Sequence, residues 1–145
     1  MKKLVLLFLA GCATAPYSTH AVVVNDPALA EDVARAVTEL NEHVPPGTFT
    51  LETNGTVHVG YVEVFRDNNP ERFFPSLDGV VAYTEFDGSI VSVGVSDRAR
   101  YVAIAHELGH AAGLAHVDDP KNLMYYRPAW WNLTPEQIKT IRAAH

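Results

Sequence analysis

Apolar positions along the chain change period several times, and each change predicts an element. A short apolar run at residues 4–10 follows Lys2 and Lys3. The next run, at residues 21–24, stops at Asn25-Asp26-Pro27, which predicts a strand and a turn. Asp26 as N-cap and Pro27 at the first helical position then open a helix. In it Leu29, Val33, Val37 and Leu40 recur at helical spacing, with Glu31, Asp32, Arg35 and Glu39 between them. Pro45-Pro46-Gly47 ends that segment. Residues 48–53 alternate, Asn54-Gly55 is a two-residue turn signal, and Val57, Val59, Tyr61, Val62 and Val64 predict the returning strand of a hairpin. After a polar loop at 67–78, residues 80–86 and 90–95 flank Asp87-Gly88 as a second hairpin. A long helix is predicted from residue 98 to about 112, capped by Ser96 or Asp97 and stopped by Gly113. Thr134, with Gln137 three positions on, forms a capping box that opens a last helix. No internal repeat or low-complexity tract interrupts this order, which describes one α+β unit.

Composition narrows the classes. At 145 residues and 48% hydrophobic, the chain suits a single core and is too apolar for a disordered one. Its one cysteine, Cys12, excludes an intrachain disulfide. The net charge is −6 and Lys2 and Lys3 lie at the extreme start, so the remainder is more acidic still. Nucleic acid is excluded as a partner, because neutralising phosphates needs a basic footprint. No stretch reaches the roughly 18–20 apolar residues that span a bilayer.

Residues 1–11 have instead the layout of a secretory signal: a positive start, a short apolar core and small residues at the end. Leu9-Ala10-Gly11-Cys12 resembles the lipobox of bacterial lipoproteins. That resemblance implies an acylated Cys12 as the new N-terminus and a lipid anchor of several acyl chains. Ala13 at the sorting position implies the outer membrane in a diderm bacterium. Ordinary cleavage near Ala13 or Ala15, with secretion, is the alternative. Residues 12–20, small and polar, are expected to be a tether, and residues 21–145 the folded domain.

The chemistry gathers at His106-Glu107-Leu108-Gly109-His110-Ala111-Ala112-Gly113-Leu114-Ala115-His116. Histidines at i and i+4 lie one turn apart on one helix face, so both imidazoles can reach one ion. Gly113 lets the chain turn out of the helix, and His116 can return as a third nitrogen ligand. Three neutral imidazoles suit Zn²⁺ and leave a position for water, as catalytic sites require. Glu107, directly after the first ligand, is placed to take that water's proton during attack on a peptide carbonyl. A lone histidine is more often an ordinary hydrogen-bonded side chain. Three of the seven histidines in register with Glu107 and Gly113 form a far more specific pattern.

This pattern resembles the signature of the metzincin metalloproteases, and Asn122-Leu123-Met124-Tyr125-Tyr126 is similar to their methionine turn. Together with residues 133–141, these segments look most like the matrixins. The resemblance implies a small mixed, twisted sheet with an N-terminal, an active-site and a C-terminal helix. It also implies a peptidase with His106, His110 and His116 as zinc ligands, Glu107 as general base and Met124 as the apolar floor beneath the histidines. Departures carry expectations too. Tyr83 stands where matrixins carry a histidine for a structural zinc, so one catalytic ion is expected. Val117 matches neither the serine of matrixins nor the glutamate of astacins. Tyr126 takes the place of a tyrosine that in astacins and serralysins reaches the zinc or the oxyanion, so it is either an oxyanion donor or an aromatic wall of the cleft.

In such a fold an edge strand, here residues 79–86, holds a peptide or protein substrate extended by main-chain pairing. Trp130 and Trp131 either wall the pocket after the scissile bond or cover the core beneath the last helix. Asp118-Asp119 is expected to be a solvated turn rather than a cation site. The Asn54-Gly55-Thr56 and Asn132-Leu133-Thr134 sequons are read as turn and cap chemistry. A monomeric zinc endopeptidase anchored through Cys12 is the leading expectation. A surface lipoprotein that keeps zinc as a binding module, without turnover, is the rival. A cell-wall amidase is the third.

Overall fold

The computed structural model describes residues 20–44, 47–52, 61–66, 82–84, 90–93, 100–126 and 132–143. Cys12 with its flanking signal-like segment, most of the tether, both turn dipeptides, Ser96, Asp97, Trp130 and Trp131 lie outside the described residues, as does the Tyr83 side chain. The elements run β1 (His20–Val24), α1 (Ala30–His43), β2 (Phe49–Glu52), β3 (Tyr61–Arg66), β4 (Ala82–Thr84), β5 (Ile90–Val93), α2 (Arg100–Ala111) and α3 (Pro135–Ala143).

Local signals set the helix ends. The Ala28 N–H donates to the Asp26 carboxylate at 2.9 Å, and Pro27 starts a short 3₁₀ turn that leads into α1. Val33, Ala36, Val37 and Leu40 form the buried stripe of α1. At α3 the Thr134 N–H donates to Gln137 Oε1 at 2.8 Å, and the Gln137 N–H donates to Thr134 Oγ1 at 3.2 Å. This is the capping box expected from the two residues.

The sheet has the order β2-β1-β3-β5-β4. β1 is parallel to both β2 and β3, β3 is parallel to β5, and β4 is antiparallel to β5. The expected α+β fold with a mixed sheet is therefore present, and so is the predicted pairing across Asp87-Gly88, with Ala82 opposite Val93 and Thr84 opposite Val91. The hairpin predicted at Asn54-Gly55 is corrected. β2 and β3 run in the same direction on opposite sides of β1, whereas a two-residue turn joins neighbouring strands of opposite direction. The reason lies in β1, whose consecutive Val22 and Val23 are both 0% exposed. A strand covered on both faces belongs inside a sheet, and β1 takes the place between β2 and β3 that a hairpin would have closed.

Side-chain alternation sends Val22, Val24, Phe49, Leu51, Val64 and Ala82 into the core shared with the helices. α1 and α2 pack on each other, and their contact is closed by polar pairs. Arg100 bonds Asp32 at 2.5 Å and the Ala28 carbonyl at 3.2 Å, and the Arg35 guanidinium lies 3.7 Å above the Tyr101 ring. On the margin strand β2, the Asn41 amide pairs with both backbone groups of Phe49, at 2.8 and 3.1 Å, as a neighbouring strand would. β4 forms the opposite margin. α2 lies deepest, with every residue from Val102 to Gly109 buried. A helix buried on all sides has no water for its polar groups, so His106 and Glu107, each 3% exposed, must find partners inside the protein. Among the described residues no helix is long and apolar enough to cross a membrane.

Candidate metal centre

Gly113 ends α2 with a φ of +87°, a conformation that costs a residue without Cβ nothing. The Gly113 N–H donates to the His110 carbonyl at 2.9 Å and the Leu114 N–H to the Gly109 carbonyl at 3.0 Å, the double bond pattern of a glycine-terminated helix. The chain then doubles back, and the Val117 N–H donates to the Met124 carbonyl at 3.0 Å, which fixes the segment carrying His116.

This path brings the Nε2 atoms of His106, His110 and His116 together, each 3.1 Å from the other two. Their far nitrogens explain which lone pairs face inward. His106 Nδ1 lies 2.7 Å from the Leu123 carbonyl and His110 Nδ1 lies 2.8 Å from the Leu114 carbonyl. A carbonyl only accepts, so both Nδ1 atoms carry the proton and both Nε2 atoms present bare lone pairs. Burial keeps these rings neutral. It pushes His106 down to about 3 and His110 down to about 4, with the neighbouring imidazoles adding to the shift, and it lowers His116 as well. Lone pairs converging at this distance repel unless a cation sits among them. Tetrahedral zinc with nitrogen ligands at 2.0–2.1 Å sets them about 3.3 Å apart, so the donor set fits zinc in kind and in spacing. Among the described residues this is the one group of three or more potential metal ligands.

Glu107 sits on the same helix, next to His106. Its Oε2 lies 2.5 Å from the Thr84 hydroxyl, which is also 3.0 Å from the Glu107 carbonyl oxygen. Burial raises the Glu107 carboxyl from 4.5 to about 7, against the pull of the Thr84 hydrogen bond. An acid in that range exchanges a proton readily near neutral pH.

Met124 is 0% exposed and packs under α2. A Cβ at Gly109 would lie 2.6 Å from its sulfur, so the approach exists because position 109 has no side chain. A glycine inside a helix costs about 1 kcal/mol relative to alanine, which is the one sequence signal that could have located this contact. Gly109→Ala is expected to destabilise the fold by about 1–3 kcal/mol and to weaken zinc binding about tenfold. The second effect follows because Leu123, whose carbonyl orients His106, precedes Met124. Thermal unfolding and a zinc competition titration check both.

Asn122, at 0% exposure, holds the same turn. Its side-chain oxygen accepts the Met124 N–H at 2.8 Å and the Gln137 amide at 3.1 Å, while its own amide donates to Gln137 Oε1 at 2.8 Å. The capping residue of α3 thus also anchors the methionine turn, a second role that spacing along the chain does not reveal. Tyr126 is half-buried with its ring 4.3 Å from that of Tyr125. Asp119 Oδ1 accepts the Lys121 N–H at 2.9 Å, which is the expected turn.

Comparison with known proteins agrees with this geometry. Matrix metalloproteinase-20 of Homo sapiens is 35% identical over 78 residues, covering 50% of this chain and 16% of that protein. The chain thus spans only a small part of that relative's length. The family model described as Matrixin matches residues 30–143, from the start of α1 through the end of α3 and across all three converging histidines. The chain belongs to the matrixins, a family of zinc metalloproteases.

Proposed function

We propose that this protein is a zinc-dependent endopeptidase with one catalytic ion, held at a bacterial cell envelope by a lipid on Cys12. The observation that carries the catalytic reading is Glu107, a buried carboxyl next to His106 and bonded to the Thr84 hydroxyl, beside three imidazoles whose Nε2 atoms converge at 3.1 Å. A zinc scaffold without turnover has no use for a proton acceptor at that position.

His106, His110 and His116 would hold the metal through Nε2, and the Leu123 and Leu114 carbonyls fix two of the rings by their opposite nitrogens. Zinc held there would supply a Lewis acid and make water acidic enough to attack near neutral pH. Glu107 would accept a proton from the water that attacks the peptide carbonyl and pass it to the amine nitrogen as the C–N bond breaks. Main-chain pairing along β4 holds the peptide extended, so backbone is read more than side chains. Tyr126 walls the site or donates to the oxyanion.

The test is a mixed peptide library incubated with the zinc-loaded full-length chain, beside Glu107→Gln, with products read by mass spectrometry. Cleavage by the parent alone supports the reading. A folded, zinc-loaded protein that cleaves nothing overturns it in favour of the binding module. Recovery in the membrane fraction, expected to be lost in Cys12→Ala, checks the anchor; a parent chain found only in the soluble fraction overturns that part.

A further inference from the structure

A general base works only if its carboxylate is held where the proton is released, and a glutamate has three side-chain torsions to restrain. Nothing within α2 does this for Glu107. The restraint comes from the sheet. Alternation along β4 puts Ala82 and Thr84 on the face toward α2, and burial of Ala82 in the core sets the strand's position against the helix. The Thr84 hydroxyl then meets Glu107 twice, 2.5 Å from Oε2 and 3.0 Å from the backbone carbonyl, across 23 positions of sequence. Threonine is suited to this, because β-branching stiffens the torsion that aims its hydroxyl. A hydroxyl also donates and accepts. It can donate to the carboxylate, or accept from the protonated acid while donating to the carbonyl, so Glu107 stays held throughout a turnover.

We propose that Thr84 is a positioning residue for Glu107, which fixes the carboxylate and ties it to the margin strand that pairs with an extended peptide. The inference rests on the peptidase reading above and adds what orients its base. It makes the substrate-docking strand and the proton acceptor one mechanical unit.

The test compares the zinc-loaded full-length chain with Thr84→Val, which keeps the shape without the hydroxyl, and Thr84→Ser, which keeps the hydroxyl. Thr84→Val is expected to lower kcat by about 10- to 100-fold with KM within about twofold, and Thr84→Ser to recover most of kcat. Zinc affinity, measured by competition with a chromophoric chelator, is expected to be unchanged, since Thr84 bonds the base and not the imidazoles. A readout independent of turnover is the ¹³C carboxyl NMR resonance of Glu107 in glutamate-labelled protein, assigned by its loss in Glu107→Gln. It is expected to shift in Thr84→Val and to hold in Thr84→Ser. Wild-type kcat in Thr84→Val, failure of serine to rescue, or a parallel loss of zinc overturns the proposal. If the valine variant does not fold, Thr84→Ala carries the same comparison. If the parent cleaves no peptide, the peptidase reading falls, and an unmoved carboxyl resonance in Thr84→Val then overturns the positioning as well.

Discussion

Replacing Glu107 by glutamine is expected to lower peptide cleavage by ~10²–10⁴-fold and, in the metal-free protein at pH 8, to raise stability by up to about 3 kcal/mol. Both effects come from one buried group. Its folded value lies near 7 against 4.5 when exposed, because burial opposes the charged form. Below 4.5 the acid is neutral in both the folded and the unfolded chain, so it costs the fold nothing. Between 4.5 and 7 the unfolded chain ionises and hydrates its charge while the folded one keeps the proton, so stability is lost across that window. The loss is complete above 7, where the folded state carries a desolvated charge. Glutamine keeps the shape, retains a partner in the Thr84 hydroxyl and carries no charge. The gain should therefore be nearly complete at pH 8 and only about a quarter as large at pH 5. Thermal unfolding of chelator-treated parent and variant at the two pH values measures it, and an equal difference at both would sink the argument. With Glu107 as the proposed general base, the chain gives up stability at this position to keep an acid that exchanges protons near neutrality.

Removing zinc is expected to abolish cleavage and to lower the unfolding temperature by ~10 °C from that seen with free zinc at a hundredfold excess over its Kd. The folded chain brings three imidazole nitrogens to 3.1 Å, an arrangement the unfolded chain does not have. An ion binding there stabilises only the folded state. Acid should deepen the loss in the metal-free protein. His106 and His110 are depressed to about 3 and about 4, so their neutrality is matched by the unfolded chain only above about 6.5. As pH falls from 6.5 toward 4, the unfolded chain gains protons that the folded one does not bind, and stability declines. Glu107 acts the other way between 4.5 and 7, but one acid is outnumbered by the two histidines. Calorimetry with and without chelator from pH 7 to pH 4 follows both trends. Unchanged unfolding on chelation would mean that the three histidines do not hold a metal.

The helix boundaries and the clustering of the three histidines were legible because their causes are local. Asp26 and Ala28, Thr134 and Gln137, and Gly113 with His110 meet their partners within a few residues, so each cap is written in adjacent side chains. His106, Glu107 and His110 share a turn of helix, and their spacing alone puts two imidazoles on one face. The Asn54-Gly55 hairpin failed for the opposite reason. A turn dipeptide speaks only for its own backbone, while the choice of neighbour for β2 and β3 depended on which strand could be covered on both faces. The residues around the site follow the same division. Leu114 and Leu123 act through carbonyls that every residue possesses, so no side-chain pattern could single them out. Gly109 matters because Met124 arrives beside it, and Thr84 matters because β4 lies on α2. Sequence by itself determined which three histidines gather, the acid beside them and the helix caps, all of them set within short segments of chain. Tertiary structure alone decided the strand order, the orientation of the imidazoles and the grip on Glu107, because packing chooses which distant faces of the chain meet.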